Sequence, residues 1–242
     1  MFCVIRTKKA LLILVSLILA TFLGLTLIRG HIPLAQAIKQ ENYTVYLTFD
    51  DGPSVVTIEV LDILQEENVP ATFFVIGATT ERGLSLYNRI LEEGHTLAMH
   101  SYSHDSKDIY RSMEDYLNDF HRLEDWIAEN TGVSPKVCRM PGGSKNTYCP
   151  EWLGAQIAEY FDQNGYAYYD WDIDPKDWEG HVSSGELARR IIQQAEQMPN
   201  QDIIVLLHDN TTRTALPGAL PQVIEYFRER GYTFAALDEK GK

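Results

Sequence analysis

The 242-residue chain is 45% hydrophobic, enough apolar mass for one sizeable core with little left for a second. Its formal net charge is -13, and residues 1–37 hold only Arg6, Lys8, Lys9 and Arg29, so the remainder sets 17 basic against 34 acidic side chains. Such a surface disfavours nucleic acid and anionic lipid, whose phosphates need Lys/Arg clusters, and fits a neutral partner such as a sugar chain.

The N-terminal basic cluster precedes Ala10–Ile28, 19 residues without a charge. That length exceeds the usual apolar core of a secretory signal and approaches the roughly 20 residues of a spanning helix. Ala35-Gln36-Ala37 offers a small-x-small cleavage site. Residues 1–37 are therefore expected to be a hydrophobic helix acting as a signal peptide or a membrane anchor, with residues 38–242 exported as one domain. Cys3 precedes the apolar run. Cys138 and Cys149 are the only two cysteines of the exported part, and a disulfide or two free thiols fit equally.

Beyond residue 42, short runs rich in Val, Ile, Phe or Tyr alternate with longer amphipathic stretches. Tyr43–Phe49 reads as a strand, Val56–Gln65 as a helix, Ala71–Ile76 as a strand and Leu84–Glu93 as a helix. The strand Thr96–Met99 follows, then a helix opened by a capping box at Ser112 and Asp115, with Leu117, Phe120, Leu123 and Ile127 near one face. Next come Val137–Arg139 as a strand, Trp152–Gln163 as a helix and Tyr166–Trp171 as a strand. A helix capped by Ser183 carries Leu187, Ile191 and Ala195 on one face. Strand Ile203–Leu207, helix Pro221–Arg230 and strand Tyr232–Ala236 complete the series. About seven such β/α units predict an α/β fold with a parallel sheet curled into a barrel rather than left open.

In such a barrel, chemistry sits where strands end. The first strand runs into Thr48-Phe49-Asp50-Asp51-Gly52-Pro53. Two adjacent carboxylates at the end of a buried strand are costly unless a cation or a proton relieves them. The third run ends in His100-Ser101-Tyr102-Ser103-His104, where histidines at i and i+4 would share one face of a helical turn and suit a divalent metal. The fourth ends in Arg139-Met140-Pro141-Gly142-Gly143, the fifth in Asp170–Trp178 and the sixth in Leu206-Leu207-His208-Asp209. Each motif alone reads more simply as a salt-bridging arginine, an acidic loop or a satisfied histidine. Polar clusters closing five of the first six runs argue for one shared site; the second run, ending in Gly77-Ala78, is the exception.

Taken in order, TFDDGP, HSYSH, RMPGG, DIDPKDW and LLHD resemble the five motifs of the polysaccharide deacetylases, carbohydrate esterase family 4. The likeness covers roughly residues 42–236 and extends to Ala71–Gly77 and Glu93-Gly94-His95. It implies a distorted, incomplete (β/α) barrel. It implies a divalent metal, usually zinc and in some members cobalt, manganese or nickel, held by Asp51, His100 and His104. Asp50 would be the general base, oriented by Arg139, and His208 the general acid. Asp177 would support His208, with Asp174 competing for that role. A backbone N–H near Gly142 would assist the oxyanion, and Trp178 and Leu206 would wall the sugar groove. Cys138 and Met140 beside Arg139, the loop Ser144–Cys149 and the extra carboxylate Asp172 depart from the family pattern.

The expected function is removal of acetyl groups from an N-acetylated glycan, with N-acetylglucosamine of peptidoglycan favoured, by a monomer acting outside the membrane or held to it by the N-terminal segment. Chitooligosaccharide, N-acetylmuramic acid and O-acetyl polysaccharide are alternative substrates. A glycan-binding protein without catalysis is a second reading. A glycosidase is a third; its two carboxylates would need no histidines at i and i+4.

Overall fold

Val45, Leu47 and Phe49 point to one side of the first strand, and Tyr46, Thr48 and Asp50 to the other, as strand geometry requires. Both sides are covered. This strand, β1 (Thr44–Asp50), lies mid-sheet, and its inward and outward rows are both largely buried, the mark of a parallel sheet with structure on each face. The computed structural model describes residues 43–240; the expected N-terminal hydrophobic helix, the 1–37 segment and Cys3 lie outside the described residues.

The remaining strands are β2 (Thr72–Ile76), β3 (Thr96–Ser101), β4 (Val137–Cys138), β5 (Ala167–Tyr168), β6 (Ile203–His208) and β7 (Thr233–Phe234). All pairings are parallel, in the order β5-β4-β3-β2-β1-β6, and β7 pairs with the beginning of β1. After β5 the chain crosses back, and Ile173 bridges to Val205 on β6. The two ends of the sheet are thereby drawn together into a curled, incomplete barrel. Seven helices connect the strands among the described residues: α1 (Val55–Glu67), α2 (Glu81–Glu92), α3 (Ser106–Ile109), α4 (Met113–Thr131), α5 (Glu151–Gln163), α6 (Ser184–Ala195) and α7 (Leu216–Glu229).

The helices begin where their caps stand. Ser54 caps α1 through Val56 N–H, and Thr57 closes the reciprocal bond to Ser54 N–H. Ser112 and Ser183 cap α4 and α6 at the expected positions. On α4 the buried stripe is Tyr116, Phe120, Leu123 and Ile127; Tyr116, one full turn before Phe120, takes the place expected for Leu117. Helix α7 starts at Leu216 and carries Pro221 inside it, five residues earlier than the proline signal predicts. Leu216, Leu220, Val223, Ile224 and Phe227 make one buried stripe there, and its burial outweighs the hydrogen bond that Pro221 cannot donate.

Two apolar clusters follow from strand alternation. The larger lies between the sheet and the helices and includes Leu47, Phe49, Phe73, Met99, Val205 and Leu207. The smaller fills the inside of the curl with Phe74, Ala98, Val137, Tyr169, Ile204 and Leu237. One alternation step further along the same strands, the inward positions become Asp50, His100, Arg139 and, two steps beyond Ile204, His208. The polar layer thus caps an apolar one. Cys138 and Cys149 are both buried and both free.

Candidate active site

Asp50 is the last residue of β1 and sits in register with His208 on β6. Simple alternation would send its neighbour outward. Asp51 instead adopts a left-handed backbone with φ 73°, a conformation aspartate tolerates, and so turns back towards the barrel mouth. The turn is anchored by Asp51 N–H donating to Phe74 O and by Ile76 N–H donating to Gly52 O. Gly52 is obligatory in this packing, because a Cβ there would fall 2.8 Å from the carboxyl carbon of Asp209. Asp209 is fully buried, accepts from Thr57 Oγ1, and burial outweighs that bond to push its pKa up to about 7.

The two motif histidines do not share a helical turn. His100 lies within β3, and His104 stands in the following loop with φ 53°. What unites them is the direction of their rings. His100 Nδ1 is 2.9 Å from Arg139 O, an acceptor only, so Nδ1 carries the proton and Nε2 presents a lone pair. Nε2 of His100 is 3.6 Å, and Nε2 of His104 3.1 Å, from Asp51 Oδ1. Asp51 Oδ1 is itself buried without a hydrogen-bond partner.

The protonation states agree with that geometry. Burial opposes charge on both groups. It raises the Asp51 pKa, but His100, His104, His208 and the Asn210 amide outweigh it and hold the carboxyl below its usual range. For His100 burial wins over Asp50 and Asp51 and lowers the pKa, keeping the ring neutral. The Asp51 carboxylate and the ring nitrogens of His100 and His104 converge with ligand atoms within 4.8 Å of one another, an arrangement that a divalent cation completes. The residues present therefore fit the metal that sequence reasoning expects.

Arg139, just past β4, has a fully buried side chain. Its Nη1 donates to Asp50 Oδ1 and to Thr48 Oγ1, both at 2.8 Å, its Nε to Tyr169 O and its Nη2 to Asp170 O. The guanidinium stacks 4.0 Å above the Phe74 ring. One Asp50 oxygen is committed to this partner, while the other lies 3.8 Å from His100 Nε2 and faces the site.

Of the two acids considered for His208, the fold selects Asp177. Its Oδ1 is 2.7 Å from His208 Nδ1, and its Oδ2 accepts from His208 N–H. Asp174 is a turn-former instead: its Oδ1 accepts from the N–H of Lys176, whose φ of 55° swings the chain so that Asp177 reaches β6. Asp172 Oδ2 accepts from Ile204 N–H. Burial lowers the His208 pKa, but the bond and charge of Asp177, with Asp50 and Asp51 adding, outweigh it and push it up to about 9.

The residues expected to contact sugar are placed less uniformly. Gly142 is exposed in the turn after β4, with φ 76°. Trp178 is exposed on the loop next to Asp177. Leu206 is only 3% exposed and lies inward on β6, two residues before His208. Sequence reasoning missed Thr48, Asn210 and Asp119. Asn210 Nδ2 donates to Asp51 Oδ2, and Asp119 binds the histidine loop from α4. Asn210 could have been noticed, two residues past His208; Thr48 and Asp119 carry no signal apart from the fold.

Known proteins resemble this chain in sequence and in fold. The sequence profile described as polysaccharide deacetylase matches residues 37–158. A peptidoglycan-N-acetylglucosamine deacetylase of Bacillus cereus is 32% identical over 206 residues, covering 83% of this chain and 71% of that protein. The chain belongs to the polysaccharide deacetylase family. Its members are metal-dependent hydrolases acting on N-acetylated glycans. The catalytic domain of a peptidoglycan N-acetylglucosamine deacetylase from Eubacterium rectale superposes with a TM-score of 0.75 at 32% identity, over 82% of this chain and 90% of that one. A polysaccharide deacetylase crystal structure from Bacillus cereus gives 0.71 at 32% identity, over 82% and 94%. The profile match ends before the Asp177 and His208 motifs, whereas these longer likenesses extend across most of the described deacetylase fold.

Proposed function

We propose that this deacetylase removes the acetyl group from N-acetylglucosamine residues of peptidoglycan. The observation that carries the reading is Asp50: held by Arg139, it lies outside the group of Asp51, His100 and His104 that could hold a metal, with its second oxygen 3.8 Å from His100 Nε2. The similar peptidoglycan deacetylases support the substrate.

Asp51, His100 and His104 would hold the metal, and zinc suits two imidazoles and one carboxylate with positions left open. A divalent cation there supplies Lewis acidity, which makes water easy to deprotonate near neutrality. Asp50 takes that proton, and Arg139 keeps its carboxylate aimed. The hydroxide adds to the acetyl carbonyl carbon, and a backbone N–H near Gly142 donates to the oxygen that becomes negative. The C–N bond then breaks with the electron pair passing to nitrogen. An amide nitrogen leaves poorly unless protonated, and His208 Nε2 donates the proton while Asp177 stabilises the imidazolium from the other side. Trp178 borders the groove for the sugar. Residues 1–37 serve as signal or anchor and place residues 38–242 at the cell wall.

The test is acetate release from N-acetylated peptidoglycan with and without a chelator, using the wild type and Asp50→Asn. Chelation is expected to abolish release and added divalent metal to restore it. Asp50→Asn should lower turnover by on the order of 10²-fold or more while glycan chain length stays unchanged. Release that persists after complete metal removal would reject the mechanism.

A further inference from the structure

The loop that carries His104 has an unusual support. Three consecutive amides, those of Tyr102, Ser103 and His104, need acceptors at the edge of a buried site. A single carboxylate, Asp119 on α4, takes two of them directly and orients the acceptor of the third. Its Oδ2 accepts from Tyr102 N–H at 2.8 Å and its Oδ1 from Ser103 N–H at 2.9 Å. The third amide is reached through a relay: Ser101 Oγ donates to Asp119 Oδ2 at 2.6 Å and accepts from His104 N–H at 2.9 Å. With its proton directed to Asp119, the Ser101 hydroxyl turns a lone pair to His104 N–H. His104 is then held at φ 53°, a conformation costly for a residue with a Cβ and one that places its ring against Asp51. One turn along α4, Arg122 stacks 3.7 Å from the Tyr102 ring centroid and pins the same loop a second time.

We infer that Asp119 is a positioning residue of the metal centre, which sets the geometry of His104 through Ser101 and the loop amides. The inference rests on Asp51, His100 and His104 being the ligands. Without Asp119, the N–H groups of Tyr102 and Ser103 lose their acceptor, the Ser101 hydroxyl that accepts from His104 N–H loses its anchor, and the loop relaxes away from the ligand position. The role lies apart from the proton transfers, since Asp119 bonds to Ser101, Tyr102 and Ser103, yet it bears on how tightly the metal is held.

The experiment is calorimetric titration of the full chain, freed of metal by chelation, with zinc(II) alone, alongside thermal melting of the metal-free protein. Asp119→Ala is expected to raise the zinc dissociation constant about 10–100-fold. Asp119→Asn keeps the side-chain volume and one acceptor oxygen, so a smaller increase is expected, and it serves where the alanine variant does not fold. Ser101→Ala combined with Asp119→Ala should be markedly less than additive, because both act through one relay. Excess zinc should restore turnover to the Asp119 variants. Dissociation constants for Asp119→Ala and Asp119→Asn within twofold of wild type would overturn the inference even if the melting temperature fell. His104→Ala in the same titration separates the two failures. If it loses zinc while the Asp119 variants keep it, only the positioning role is lost; if it binds zinc as wild type does, the ligand assignment fails as well.

Discussion

His208 shows how much a single contact decides at the scale of one residue. Burial alone would leave it neutral, a poor donor to a departing amine. Asp177 reverses the sign and brings the pKa up to about 9. A general acid must start protonated, so activity is expected to persist up to that value and fall as pH rises through about 9. In Asp177→Asn the charge is gone while burial remains, so the pKa drops and the alkaline limb moves to lower pH. The pH profile of kcat should show that displacement, with a loss at neutral pH on the order of 10²-fold. An unmoved limb would mean that another group supplies the proton. Sequence reasoning left Asp174 and Asp177 as competitors because both stand in one short acidic stretch. Their separation came from the positive φ at Lys176, which no residue preference announces.

At the scale of elements, the strands and capped helices were legible because their signals are local. All seven apolar runs become strands, and Ser112 and Ser183 cap the helices they were expected to cap. Helix α4 also presents Asp119 to the histidine loop, so its N-terminal cap bears on the site only through stability. Ser112→Ala is expected to cost about 1 kcal/mol, read by denaturant titration, with zinc affinity unchanged. What was misread at this scale is equally physical. The His100 and His104 spacing has helical period, but His100 lies within strand β3, at the register shift against β2, and Asp119 binds the residues after it, so the pair is a strand end and a loop. Pro221 looked like a helix start because proline is favoured there, and a long buried stripe overrode the preference.

The whole molecule depends on how the curl is closed at its lower end. After β7 the chain crosses beneath the sheet, where Leu237 N–H donates to Thr72 Oγ1 and Leu237 O accepts from Thr96 Oγ1. The Leu237 side chain fills the inner cluster with Phe74, Ala98 and Ile204, directly below the layer of Asp50, His100 and Arg139. Leu237→Ala is expected to cost about 2–5 kcal/mol through lost burial and a residual cavity, measured as a lower melting temperature. Turnover at low temperature should change far less, because the proposed ligands Asp51, His100 and His104 hang from β1, β3 and their loops rather than from the C-terminal segment. Barrel curvature was inferred from the number of β/α units, and the structure realises it as an incomplete closure, with two-residue strands at β4 and β5 and a single bridge at Ile173.

The amino-acid order by itself determined the kinds of chemistry present: which carboxylates and imidazoles end apolar strands, and therefore which could meet at one rim. Those facts are local, since strand alternation carries each inward side chain to the same height. Only the tertiary structure decided the partnerships. Arg139 finds Asp50 across 89 residues, Asp177 finds His208 across 31, and Asp119 reaches back to Tyr102 across 17. Such pairings are set by the register of parallel strands and the packing of helices upon them, and a buried polar group cannot be assigned a partner until the chain has brought one within hydrogen-bond reach.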